Sequence, residues 1–362
     1  MTEIVITNDE LTPELALRNE SDPCWAAART YAFCIGHVPP LFSSCIRTIN
    51  KADSVLESID QNSVKEMTVS ACEFLVKVSP TLKAIFYFAA ESLCPEKLQS
   101  VRPLSVRRLL SILEPREVSS ILGATFLYKR VQKKCDSKEW LILQRKIHTQ
   151  MEIGLLVGEK MRHIGRANGM LLGAVRYIAQ ATFAVHSLDK YKEFKKAARN
   201  SSQIFNLTLE ETIFGCNHLQ IASLLVQELG FCMPRSHVSM SLGMDAMSVQ
   251  PDNLPARLKE HLLSWKAAMA YIESYHSTGN PPEKMNLEYA LELPSEEQVQ
   301  FKNRIWEIVR EGTQFDWISK TKKDLPGDIA KELEIQTVSG DPGIPGGKGD
   351  GGSEFLDDHS FD

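Results

Sequence analysis

Two histidines, His148 and His218, are the residues of this chain best suited by type and setting to do chemistry. Neutral imidazole ligates borderline divalent cations, and a bound cation can activate water toward phosphoesters. His148 closes Gln144-Arg-Lys-Ile-His148, and His218 lies in Phe214-Gly-Cys-Asn-His-Leu-Gln-Ile-Ala-Ser-Leu-Leu225. Between them, the small-residue stretch Gly173-Ala-Val-Arg-Tyr-Ile-Ala179 supplies Arg176 and Tyr177. Neither completes a metal site. Guanidinium has no lone pair to donate and stays charged at physiological pH, and a phenol rarely replaces a bridging carboxylate. His148, alone on an amphipathic helix, therefore reads as a hydrogen-bonded packing residue, and His218 as a tie between a loop and the helix that follows it.

Arg176 is the most informative of these residues because it falls within an otherwise apolar run, Met170 to Val185. A buried unpaired cation is prohibitively costly, so Arg176 must find a carboxylate or several carbonyls. Glu210, Glu211 and Glu152 are the candidate partners. No Gly-x-Ser-x-Gly, no Cys-His pair with an orienting third group and no dinucleotide fingerprint occurs, so nucleophilic catalysis has no candidate.

The elements that must position these residues are helices. From Trp140 to Ile164, apolar residues at Leu141, Ile147, Met151, Leu155 and Met161 recur with polar residues between them, and Gly169 to Val185 is apolar almost all round, as a central helix is. Asn217-His-Leu-Gln220 has the form of a capping box, which predicts a helix to Leu229 ended by Gly230. Strand patterning is nearly absent. One helix is expected near Cys24 to Cys34, and helical runs are expected around Ala256 to His276, Ser295 to Glu311 and Phe315 to Lys323. Trp265, Trp306 and Trp317 are expected to anchor that last region onto the rest of the chain.

These segments resemble the HD phosphohydrolase superfamily, and most closely its signalling offshoot, the HD-related output domain (HDOD). His37-Val-Pro-Pro-Leu41 resembles the Leu-Pro-x-Leu-Pro opening of HDOD domains, and Val76-Lys-Val-Ser-Pro80 their Asp-Pro-x-Leu helix start. Ser105 to Val118 follows their helix, break, helix pattern, with Glu114-Pro115 in place of the usual Gly. In HD hydrolases a His-Asp dyad follows the small-residue stretch, and here Arg176-Tyr177 stands in its place. Metal-bearing relatives carry a further His pair near the position held here by Met244-Asp245.

The resemblance implies an all-α fold, an HD-like multi-helix bundle in two helical sub-domains with a C-terminal helical extension. The divisions expected are a lead over 1–35, the first half of the module over 36–110, the HD-like half over 111–245, the extension over 246–335 and a disordered acidic Gly-rich tail over 336–362. It further implies a regulator that has lost hydrolase chemistry, holds no metal or cofactor, and binds a signalling partner protein or a small regulatory ligand such as a nucleotide. The binding residues would be those of the old cleft: His148, Arg176, Tyr177, Asn217 and His218. The rival reading is a metal-dependent phosphohydrolase using His148, His163, His186 or His218 with nearby carboxylates in an unfamiliar arrangement.

Composition narrows the partners. With 362 residues and 43% hydrophobic content the chain can bury a sizeable core. Net charge is −5, and Val338 to Asp362 carries six carboxylates against Lys348, so the remainder is neutral and creates no field to attract nucleic acid. Basic clusters at Lys129 to Lys134, Lys195 to Arg199 and Lys320 to Lys323 are expected to be solvated helix faces. Eight cysteines without Cys-x-x-Cys or regular spacing read as thiols of a reducing cytoplasm, and the first residues have no signal-peptide pattern. No membrane span is expected, because Gly169 to Val185 is short and carries Arg176 and Gln180. The Gly-rich stretch Gly340 to Gly352 fails as a collagen repeat and as a phosphate loop, and its composition cannot order itself.

Overall fold

Proline and capping side chains mark where the helices begin. In the computed structural model, which describes residues 22–54, 60–135, 138–161, 164–199, 205–231, 242, 245, 252, 256–282, 291, 293–313 and 315–338, α1 spans Pro23–Phe33 and starts where Asp22 accepts from the Cys24 N–H at 2.8 Å. Helix α2 is Pro40–Ser54, and α3 is Gln61–Val78, capped by Asp60 at 3.0 Å from two backbone N–H groups. Helix α4, Pro80–Leu93, begins at the expected Ser79-Pro80 step, with Ser79 accepting from the Leu82 N–H at 3.2 Å. Such caps satisfy backbone donors that a first turn leaves unpaired. The short α5 (Pro95–Ser100) and α6 (Val106–Ser111) lead to α7, Pro115–Lys134.

Then follow α8 (Lys138–Lys160), α9 (Gly165–His186), α10 (Leu188–Ala198), α11 (Leu207–Phe214) and α12 (His218–Glu228). Helices α13 (Ala256–Thr278), α14 (Ser295–Glu311) and α15 (Gly327–Val338) complete the fold. Among the described residues there is no strand, so the fold is all-α as expected. No helix among them is long and apolar enough to cross a membrane.

The chain divides into two units. The first comprises residues 1–37 and 131–313, and its core is the crossing of α8 and α9. Gly154 and Gly158 of α8 lie against Gly165 and Gly169 of α9, and Gly173 lies against the Gln150 carbonyl. A Cβ on any of Gly154, Gly158, Gly169 or Gly173 would sit on backbone of the opposite helix, so the two helices approach as only glycine allows. Around α9 an aromatic layer closes: Phe183 stacks on Phe214 at 3.9 Å, and Tyr31 of α1 meets Phe183 edge-on at 4.9 Å. Helix α9 is buried over nearly its whole length, as its apolar sequence predicts.

The second unit comprises residues 38–130 and 314–362. Its C-terminal part is tied in by side chain to backbone bonds. Glu332 of α15 accepts from the Leu104 N–H at 2.6 Å and from Arg102 at 3.1 Å, and Lys129 donates to the carbonyls of Ser319 and Lys320 at 3.1 and 3.4 Å. Trp317, Ile318, Ile329 and Leu333 are all buried in this unit.

Three local expectations are corrected. The run Phe315 to Lys323 is two 3-10 turns, Trp317–Ser319 and Lys322–Asp324, because Asp324 accepts from both the N–H and the hydroxyl of Thr321 (2.7 and 2.8 Å) and holds the chain out of a helix. Helix α15 continues to Val338, past the expected start of the tail at 336, and the rest of the tail lies outside the described residues. The cluster at Lys129 to Lys134 is not a uniformly solvated face: Arg130 is buried with its guanidinium 5.0 Å from the Phe126 ring centre, and burial draws the Lys129 ammonium down to about 8. Of the three tryptophans, Trp265 and Trp317 are buried and Trp306 is 49% exposed. Cys45, Cys72, Cys135 and Cys216 are buried thiols outside any disulfide, Cys24, Cys34 and Cys94 are half-buried, and Cys232 lies outside the described residues.

Candidate binding site

His218 sits at the first turn of α12 because Asn217 caps that helix in the expected reciprocal box. The Asn217 side-chain oxygen accepts from the Leu219 and Gln220 N–H groups at 3.1 Å each, and the Asn217 N–H donates to Gln220 at 2.9 Å. The Asn217 amide also donates to Glu211 at 2.7 Å, so this side chain is fully used in structure.

Glu210, at the first turn of α11, is the anchor of the site. Its Oε2 accepts from the His218 backbone N–H at 2.8 Å and pairs with His218 Nδ1 at 2.7 Å, while Oε1 accepts from Gln180 of α9 at 3.1 Å. Both Glu210 and His218 are inaccessible to solvent. On its other side, His218 Nε2 accepts from Arg176 Nε at 3.4 Å. These two partners assign the neutral tautomer with the proton on Nδ1, and they leave His218 no free lone pair.

Arg176 is 5% exposed. Its guanidinium lies 4.0 Å from the centre of the Phe205 ring and its Nη2 pairs with Glu273 of α13 at 3.3 Å. The sequence expectation that Arg176 is paired therefore holds, with a different partner. Glu210 is taken by His218, Glu211 by Asn217, and Glu152 by Arg304 at 2.7 Å and by the Thr313 hydroxyl. Glu273 stands three residues before His276 on a helix assigned no motif, so no signal in the sequence pointed to it.

Tyr177 faces a different set of groups. Its ring lies 4.9 Å from Phe205 and 5.8 Å, edge-on, from His276 of α13, and Lys146 of α8 stands 5.0 Å from its centre. The Tyr177 hydroxyl and His276 Nδ1 are buried without a hydrogen-bond partner among the described residues. Burial drives the Tyr177 phenol far above its usual range, and burial followed by Lys146 draws His276 down to about 4. Phe205 also stacks on His218 at 4.5 Å, so one ring packs against Arg176, Tyr177 and His218 together. His148 is buried on α8.

A metal does not fit this donor set. Arg176 offers no lone pair, both nitrogens of His218 are engaged, and among the described residues no group of three or more His, Cys, Asp or Glu side chains is placed to hold a metal ion. His163 and Met244 lie outside the described residues, and Asp245 pairs with Lys266 at 3.1 Å.

No family model and no curated protein matches the chain. A solved structure from Marinobacter aquaeolei VT8, named "Putative signal transduction protein", is similar with a TM-score of 0.50 and 16% identity over 88% of this chain and 66% of that one. A "Putative phosphohydrolase" from Shewanella amazonensis SB2B is similar with a TM-score of 0.43 and 13% identity over 85% of this chain and 98% of that one. This chain spans about two thirds of the length of the Marinobacter structure. The likeness to the Marinobacter protein is one of fold, and it agrees with the all-α helical order of this chain.

Proposed function

We propose that this chain is a non-catalytic signal-transduction module that acts by binding a protein partner. The observation that carries the reading is Arg176. It stands where the resemblance puts the metal-binding dyad, and its guanidinium contacts Glu273, His218 and Phe205 while Nη1 is buried without a hydrogen-bond partner among the described residues. A cation fixed there opposes the binding of a second cation, and the imidazole that would help to hold one is already committed on both sides. A protein partner is favoured over a nucleotide in the old cleft because His148, Arg176, Tyr177, Asn217 and His218 are all buried. Loss of chemistry with retention of the scaffold is also how fold and function ordinarily part company.

The catalytic half is tested by elemental analysis and phosphoester assays of the purified chain. The expected result is well below one equivalent of manganese, iron or zinc and no metal-dependent hydrolysis. About one equivalent of metal, lost in His148→Ala together with turnover, overturns the reading. The binding half is tested by affinity capture from the native cell, where a stoichiometric protein partner is expected. Stoichiometric nucleotide recovered in place of any protein would replace it with the ligand reading.

A further inference from the structure

The second unit contains a pocket that the reading above does not use. Its volume is about 480 Å³, within the roughly 300–1,000 Å³ of ordinary ligand sites. Val78, Pro80, Leu325, Ala330 and Leu333 form apolar walls, Phe74 stands at 59% exposure, and Lys77, Lys83 and Lys322 supply positive charge. Lys83 is 6% exposed, so one of these cations is built into the wall. The neighbouring carboxylate, Glu73, is held by Lys77 at 3.0 Å and by Arg107 at 3.2 Å. The pocket thus suits a segment that alternates apolar side chains with carboxylates.

Such a segment belongs to this chain. Residues 354–362 read Glu-Phe-Leu-Asp-Asp-His-Ser-Phe-Asp, with Phe355, Leu356 and Phe361 set among four carboxylate side chains. The chain leaves α15 at Val338, five residues beyond the pocket residue Leu333, or about 8 Å of helix. The connecting residues 339–353 are Gly-rich. A chain of that composition has a typical end-to-end distance of about 20 Å and a limit near 50 Å, ample to turn back. We propose that Glu354–Asp362 docks in this pocket of its own chain, Phe355 and Leu356 against the apolar walls and the carboxylates toward Lys77 and Lys322. Tethering gives the segment an effective concentration of about a millimolar at the pocket. The tail would then compete with any outside ligand for the pocket.

The test uses the full chain and a fluorescein-labelled peptide of residues 352–362. Two receptors are compared by anisotropy: the unaltered chain, and a chain carrying Phe355→Ser, Leu356→Ser and Phe361→Ser. The altered chain should bind the peptide at least tenfold more tightly, because its own tail no longer competes, and added salt should weaken that binding. Adding Ala330→Trp should abolish peptide binding. Adding Lys77→Gln with Lys322→Gln, which removes both charges without setting a new carboxylate beside Glu73, should weaken it at least tenfold while thermal melting still shows a folded chain. Equal affinity for the two receptors, no binding to the altered chain, or indifference to both pocket variants overturns the proposal. A concentration-dependent dimer of the unaltered chain that the three tail substitutions dissolve would place the segment in a second copy, and would overturn docking within one chain.

Discussion

Arg176 is a fixed cation within a helical bundle, and its surroundings show how such a charge is kept there. Three kinds of contact share it: a carboxylate, a ring face and an imidazole lone pair. Arg176→Ala removes all three but leaves a partner, Glu273, whose side chain is 31% exposed and can rehydrate. The cost should therefore fall below that of a fully buried pair, at about 2 kcal/mol, read from urea unfolding midpoints. Arg176→Lys should recover less than half, since an ammonium cannot lie flat on Phe205 while reaching both polar partners. A loss no greater than a few tenths for Arg176→Ala would show that the pairing is incidental.

His276 yields a second expectation at this scale. Its folded value of about 4 lies below the usual 6.5 of an unfolded chain, so between those limits the unfolded state binds more protons. Its contribution is intact above pH 6.5, is lost as pH falls toward 4, and is constant below that, for a total on the order of 2–3 kcal/mol. Tyr177 and Lys146 face it, and neither offers a carboxylate to offset a proton. Stability of His276→Gln followed from pH 7 to 4 should show a shallower decline than the unaltered chain. Parallel curves would mean that the imidazole is hydrated when folded.

Among the elements, the crossing of α8 and α9 bears most on the site, since α8 carries His148 and Lys146 and α9 carries Arg176, Tyr177 and Gln180. Its closeness rests on glycine facing backbone. Gly169→Ala should cost about 3 kcal/mol, at the upper end for overpacking, because what its methyl meets is the Gly154 carbonyl and not a side chain that can turn aside. Gly327→Ala, where a Cβ meets nothing, is the control and should be nearly neutral. Thermal melts of the pair decide it, and equal melting temperatures would show that the helices can separate without loss.

Across the whole molecule, the second unit is built from two stretches that are far apart in sequence, residues 38–130 and 314–362. A chain ending at Thr313 would strip that unit of the buried side chains Trp317, Ile318, Ile329 and Leu333. At about 1.5–3 kcal/mol for each large apolar side chain, the loss is on the order of 6 kcal/mol or more, comparable to the stability of a domain. Limited proteolysis should then cut within α2 to α6 while α8 and α9 resist. Unchanged protection of α2 to α6 would show that residues 38–130 hold together unaided.

Periodicity, proline and capping residues are local signals, and they made the helices legible in the sequence: the Ser79-Pro80 start, the Asn217 to Gln220 box and the buried α9 follow from neighbours a few residues apart. The same locality carried the placement of Arg176 inside a helix and hence its need for a partner. The choice of Glu273 was not legible, because it depends on where α13 lies against α9, and Glu210 and Glu211, nearer in sequence, are consumed by the cap of α12. The paired Gly-x-x-x-Gly spacings at Gly154, Gly158, Gly169 and Gly173 were a visible signal of close helix approach, but spacing does not name the facing backbone. The pocket between α3, α4 and α15 joins residues that no sequence window contains together, so tertiary packing alone created it.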